Sequence, residues 1–452
     1  MPISRRVLVR SLGIGALGAA ATSACTRGDG GARDPSSPTQ GSRAGSEPAR
    51  ALRIGVVTTA RGPVARRRAP VLAAVTEGVR EINYDGGVFG RDVELLEPRV
   101  VESDDEDLGA IARGLAEAGA SAVLLAVDDA LLIEHLDAIA ATGMAIVSPT
   151  SSSMRVRAEG RDSGLLIRLA PSNRALGAVL VEQAVHEDHG ERGGAPGTIA
   201  VVGPDDEASM DLLEQIRTQG RPQGAEIVLE DTYDAADPGD VGHRARAIAA
   251  AGPALLVLTG GQETGALLGA LHDELADEHG HPRLEMTVRL TGDGALDHSE
   301  DGLPEGALDR ARALQGGGTI SEDFRLLMIT RDDSLLEPGP SGLDAATQSF
   351  DGIALICLAA QQALTLEGTA LAGAIPHVLT GDDECADMEE CTNILRDGLS
   401  SGEPGSIALT PASGDLALGQ DGDLVSGRLR VFAFDRDGSL AAPEQTGFDL
   451  SS

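Results

Sequence analysis

The 452-residue sequence has no lysine, so all 36 of its basic residues are arginine. That absence excludes the P-loop phosphate site with its G-K-[ST] signature, Schiff-base chemistry and S-x-x-K acyl-enzyme chemistry. Tryptophan is also absent and aromatics make up only 2% of the chain, too few for stacking platforms that hold bases or sugars. Positive charge is scarce against 71 acidic residues, and the formal net charge is −35. A surface this acidic repels nucleic acid and anionic headgroups, so no nucleic acid partner is expected. No Ser/His/Asp or Cys/His arrangement stands out, so neither an enzyme activity nor a cofactor is expected.

What is present is a globular chain. The hydrophobic fraction is 42%, and the length allows two or three domains with substantial cores. Residues 1–25 read as an export signal. Ser4-Arg5-Arg6-Val7-Leu8-Val9-Arg10 resembles a twin-arginine motif, and residues 12–24 form an apolar run too short to span a bilayer. Thr22-Ser23-Ala24-Cys25 resembles a lipobox, which makes Cys25 the expected lipidation site. Gly13, Gly15 and Gly18 match G-x-G-x-x-G, but no strand precedes them and the match carries no dinucleotide site. Residues 26–50 are Gly, Ser, Pro, Arg and Asp without apolar periodicity, and read as a flexible tether. Anchor, tether and body together predict a protein lipid-anchored at the cell envelope, on the periplasmic side or outer face of a membrane.

The body opens with a β-loop-helix-turn-β unit over residues 52–97. Ile54, Val56 and Val57 make an apolar strand, and Leu72, Val75, Val79 and Ile82 recur at helical spacing. Asp85-Gly86-Gly87 ends that helix, and a second strand follows at 93–96. The alternation continues with apolar strands at 122–127 and 144–147 between amphipathic helices, the pattern of a parallel sheet covered on both faces. A second run of the same kind begins near Pro171 and reaches Leu290. The predicted fold class is therefore α/β, with two Rossmann-like lobes and a cleft between them.

Several segments carry a family resemblance. Glu81-Ile82-Asn83 through Gly90-Arg91-Asp92-Val93-Glu94-Leu95 resembles the close of the first βαβ unit of periplasmic solute-binding proteins of the branched-chain amino acid type. Ile146-Val147-Ser148-Pro149-Thr150-Ser151-Ser152, Arg168-Leu169-Ala170-Pro171-Ser172, Tyr233 with Ala251-Gly252-Pro253-Ala254, and Leu290-Thr291-Gly292-Asp293-Gly294 resemble later segments in the same order. Phe350-Asp351-Gly352 resembles the start of the long helix that returns to the first lobe. The resemblance implies a type I periplasmic binding fold whose lobes are joined by a multi-strand hinge. Lobe I would hold residues 51–170 and 321–405, and lobe II residues 171–320 and 406–452. The implied function is capture of a small polar ligand, an amino acid or a related amide or carboxylate, for an ABC permease. The alternative is a ligand-sensing or ligand-free envelope interaction protein on the same fold.

The resemblance also implies the site. Thr150, Ser151 and Ser152 would receive a ligand carboxylate, and Asp293 would pair with a ligand ammonium. Three departures stand at the remaining candidate positions. Asp128 and Asp129 replace a serine-rich turn, Ala208 and Gln262 fall where aromatics are usual, and Arg66 and Arg67 enter the first loop where an aromatic is expected. The pocket should thus be less aromatic and more charged than its relatives' pockets.

Cys385 and Cys391 form a close pair that, in an exported chain, reads as a disulfide in preference to a metal site. Cys357, among Ile353, Ile356 and Leu358, reads as a core thiol. His186, His189, His272, His279 and His281 match no ligand spacing and read as surface histidines. Asp421-Gly422-Asp423 and Asp435 with Asp437-Gly438 read as turns between closing strands.

Overall fold

A computed structural model describes residues 48–103, 105–160, 163–189, 193–276, 286–332, 335, 342–401 and 405–451. The export signal, Cys25, most of the tether, His279 and His281 lie outside the described residues. The first sheet has six strands: β1 (Arg53–Thr59), β2 (Glu94–Leu95), β3 (Arg99–Val101), β4 (Ala122–Ala126), β5 (Ala145–Ser148) and β6 (Leu166–Arg168). They run parallel in the order β2-β1-β4-β5-β6, with β3 also on β1. Continuous apolar stretches such as Ala122–Ala126 are buried throughout, because helices cover both faces. Each fully buried valine or leucine contributes about 1.5–3 kcal/mol by leaving water.

The segment that resembles a family motif also has a physical role. The helix Arg68–Tyr84 ends where Gly86 and Gly87 take positive φ. Asn83 then accepts from the Val93 amide at 2.7 Å and donates to its carbonyl at 3.0 Å. That double bond pins the helix end to the strand entry, so the asparagine and the glycines form one turn. The strand that follows is shorter than the sequence predicts, Glu94–Leu95 in place of 93–96.

The second sheet contains β7 (Ala195–Pro204), β8 (Glu226–Tyr233), β9 (Pro253–Leu258), β10 (Thr287–Leu290) and β11 (Ala311–Gly316), all parallel. Apart from this sheet, β12 (Asp383–Cys385) pairs with β13 (Ile407–Leu409), and Cys385, Ile407 and Leu409 pack in the first core. The sheet is completed by antiparallel strands β14 (Ala417–Leu418), β15 (Leu424–Ala433) and β16 (Glu444–Asp449), with β15 on β11. The first sheet is therefore parallel throughout, and the second carries an antiparallel edge. Ile407 and Leu409, just beyond the boundary read at 405, pack in the first core.

Strand β15 ties the cores together. Its Leu424 and Leu429 belong to the first core, while Phe432 belongs to the second. Arg168, at the end of β6, donates from Nε and Nη2 to the two oxygens of Asp423, each at 2.7 Å. Asp421 and Asp423 thus do flank a turn, but Asp423 is also half of a buried ion pair. The helix Ala346–Ala363 is buried along nearly its whole length and packs on Arg68–Tyr84. Within it Cys357 is buried, and burial pushes its thiol pKa up. Cys385 and Cys391 are joined in a disulfide. His189 corrects the reading of surface histidines: it is buried, with Nε2 2.9 Å from the Ala184 carbonyl. Its ring closes a turn instead of facing solvent.

Candidate functional site

In both sheets the loops after the parallel strands converge on one cavity of ≈ 260 Å³, the place where open α/β layers take ligands. From the first lobe, the loop after β1 leads through a short 3-10 helix, Pro63–Arg67, into the helix Arg68–Tyr84. The loop after β4 supplies Asp128 and Asp129, and the loop after β5 supplies Thr150 and Ser152. From the second lobe come Asp206, Glu207 and Ala208 after β7, Thr259 after β9, Asp293 after β10, and Gln315 on β11. Asp344, just before the helix Ala346–Ala363, completes the wall.

Most of the candidate residues meet here. Arg67, Asp128, Asp129, Thr150, Ser152, Ala208 and Asp293 line the cavity, and Arg66 joins them through Asp293. Two candidates do not. Gln262 turns away and donates to Asp301 at 2.7 Å. Ser151 is buried behind the lining, where its amide donates to the Ser148 hydroxyl at 3.1 Å. No aromatic residue lines the cavity among the described residues, so the loss of rings expected at Ala208 is not made good from elsewhere.

The polar bonds of the site run mostly within the protein. Asp129 Oδ2 accepts from the Ser152 amide at 3.1 Å, the Ser152 hydroxyl at 3.3 Å and the Ser153 amide at 2.8 Å. Ser152 is part of the segment expected to hold a ligand carboxylate, and the side chain of Asp129 already fills that role. Across the cleft, Arg66 donates to Asp293 Oδ1 at 2.5 Å and to the carbonyls of Gly292 and Asp293 at 2.8 and 2.9 Å. Arg67 donates from Nη2 to Asp293 at 3.0 Å and from Nε to Asp344 at 2.5 Å. Asp293, the expected partner of a ligand ammonium, thus already holds two guanidinium groups.

The electrostatics follow from burial and these pairs. Burial favours the neutral form of Arg67, but Asp344 and Asp293 override it and raise the guanidinium pKa. Burial opposes ionisation of Asp344 too, yet Arg67, Arg66 and Arg430 bring its carboxyl below the usual carboxylate range. Asp128 has no such partner at bonding distance among the described residues, and burial pushes it up to about 6, against the Val64 amide bond that stabilises its charge. Gly62 permits that bond. Its φ is 69° and a Cβ there would lie 2.7 Å from Asp128 Oδ2, so any side chain would displace the loop from the carboxylate. Burial raises Asp206 likewise.

A second set of bonds joins the lobes at the other rim. The Ser153 hydroxyl donates to Glu207 at 2.9 Å, the Met154 amide donates to Asp211 at 2.9 Å, and Arg155 pairs with Glu207. Sequence reasoning missed Asp206, Glu207, Thr259, Gln315 and Asp344. Asp206 and Glu207 carried a readable signal, since they stand at the start of a helix directly after an apolar strand. Gln315 and Asp344 carried none, because their strand and loop had no pattern that sets them apart.

Residues 51–274 match the family described as periplasmic binding protein. No curated protein matches the chain. Among solved structures, a branched-chain amino acid transporter substrate binding protein of Streptococcus pneumoniae, in complex with isoleucine, is 14% identical with a TM-score of 0.61, over 88% of this chain and 100% of its own. An ABC transporter substrate-binding protein of Desulfitobacterium hafniense, in complex with leucine, is 18% identical with a TM-score of 0.58, over 87% and 99%. A solute binding protein of an ABC transporter of Rhodopseudomonas palustris, in complex with p-hydroxybenzoic acid, is 13% identical with a TM-score of 0.61, over 89% and 98%. At these identities the likeness is one of fold.

Proposed function

We propose that this chain, residues 51–274 of which match the periplasmic binding protein family, captures a small polar solute between its lobes and delivers it to an ABC permease. The observation that carries this reading is the cavity itself. It lies at the carboxyl ends of both parallel sheets, and each lobe contributes polar groups to it. Hinged lobes that close on a ligand give a transporter a shape that reports occupancy. The solute class read from the sequence is an amino acid or a related amide or carboxylate, and the neighbours' ligands, two amino acids and an aromatic acid, fall in that size range.

Isothermal titration of the purified protein with amino acids, amides, amines and carboxylates tests the reading. Heat of binding from one class, with a matching rise in melting temperature, is the expected result. The proposal extends to the envelope: Cys25 is the lipidation site, and the tether spaces the body from the membrane. Fractionation of Cys25→Ser cells tests this part, and release of the protein from the membrane fraction is expected.

One observation favours a second reading. Asp129 fills a carboxylate cradle, and Arg66 with Arg67 fills an ammonium site, so both poles of a free amino acid already have internal substitutes. A ligand-free interaction protein on the same fold would show no titration heat with any small molecule, and would retain envelope partners in pull-downs when Asp128 and Asp206 are substituted.

A further inference from the structure

We infer that the solute carries a cationic head with N–H donors, a protonated amine or guanidinium, and that Asp129, Asp128 and Asp206 receive it. The inference rests on the reading that this cavity binds a solute. Among the described residues, six acids line the cavity, Asp128, Asp129, Asp206, Glu207, Asp293 and Asp344, against the single base Arg67. Three of the acids have basic partners: Asp293 and Asp344 pair with arginines of the first loop, and Glu207 with Arg155. Among the described residues, Asp128, Asp129 and Asp206 have none at ion-pair distance; their bonds go to amides and a hydroxyl. An anionic head group would meet uncompensated negative charge, while a cation would relieve it.

The unpaired hydrogen-bonding groups agree. Asp129 is 8% exposed and Gln315 3% exposed, both line the cavity, and Asp129 Oδ1 and Gln315 Oε1 take no hydrogen bond. The Thr259 hydroxyl, also buried and lining, is unpartnered too. Two of these three oxygens are obligate acceptors. A buried acceptor without a donor is costly, and a ligand that supplies N–H groups recovers that cost on binding. The donors on the opposite side are engaged. The Ser152 and Ser153 amides serve Asp129, and Arg66 and Arg67 serve Asp293 and Asp344. The overall charge of −35 draws a cation toward the cleft as well.

The test is isothermal titration of the full-length protein in detergent with ligands of matched skeleton: leucinamide as the cation, leucine as the zwitterion and isocaproate as the anion, alongside agmatine and putrescine. Leucinamide, agmatine or putrescine binding at least about tenfold more tightly than leucine and isocaproate supports the inference. Leucine or isocaproate binding as tightly as the cations overturns it while leaving solute binding intact. Heat from no compound of any class overturns solute binding and the inference together. Asp206→Asn keeps an oxygen for the Ser209 amide, so it preserves the fold, and with Asp129→Asn it should weaken the cation roughly tenfold or more. Unchanged cation affinity in both variants, with melting temperatures near that of the parent, overturns the assignment of these residues.

Discussion

Arg66 of the first lobe and Asp293 of the second meet across the cleft, with Nη2 2.5 Å from Oδ1. The contact is reinforced by two backbone carbonyls of the same short turn and by Arg67, which reaches Asp293 and Asp344 together. A closed cleft normally draws on ligand contacts to hold two hinged lobes. Here the protein's own side chains provide such contacts on one rim, and Ser153 with Glu207 provides them on the other.

Removing the clasp should open the lobes. In Asp293→Ala, Arg66 and Arg67 lose a shared carboxylate and their partly buried charges repel. Small-angle scattering should register a larger radius of gyration for this variant than for the parent without added solute. An unchanged radius would mean that the hinge strands alone hold the closed shape.

The acid that lacks a partner should make stability fall with rising pH. Asp128 ordinarily ionises near 3.8, but burial pushes it up to about 6 in the folded state. Between those values the folded chain binds more protons than the unfolded one, so stability declines as pH rises through that window. Asp351, buried beneath the Ala412 and Ser413 amides, is also pushed up to about 6 and acts in the same direction. Asp128→Asn removes one of these terms. It should melt at a higher temperature than the parent at pH 7, by the equivalent of about 1–3 kcal/mol, and no higher at pH 4. Equal melting temperatures at both pH values would sink the idea.

The hinge carries a buried ion pair whose loss should be severe. Arg168 is 1% exposed and its only carboxylate partner among the described residues is Asp423. Asp423→Ala strands that charge, at a cost of about 3–5 kcal/mol. Urea denaturation should show the midpoint displaced accordingly, and a displacement under roughly 1 kcal/mol would show that water reaches the site.

The disulfide between Cys385 and Cys391 should matter locally. It closes a loop of sequence separation 6, which on the chain-entropy estimate stabilises by about 2 kcal/mol. Reduction should lower the melting temperature by a few degrees and leave solute affinity unchanged, because neither cysteine lines the cavity. A loss of affinity on reduction would show that the loop supports the cleft.

Much of the fold was legible because local pattern sets it. Continuous apolar strands between amphipathic helices require a covered parallel sheet, and the stretches read at 122–127 and 144–147 fall on the buried strands Ala122–Ala126 and Ala145–Ser148. The antiparallel strands β14–β16 were less legible. Their residues alternate in and out of two different cores, so no single period runs through them.

The sequence by itself determined the two-lobed α/β architecture, the loops that could carry a site, and the exchange of aromatic rings for charge, since these depend on residue type and spacing along one chain. Only the tertiary structure decided what that charge does. Arg66 and Asp293 are 227 residues apart, and Asp129 finds its hydroxyl and amides in a loop after a different strand. Whether an acid in the cleft faces a ligand or an internal partner depends on distances of a few ångströms between segments remote in sequence. Those distances left Arg66, Arg67 and the Ser152–Ser153 amides engaged within the protein, and left Asp128, Asp129 and Asp206 outside its ion pairs among the described residues.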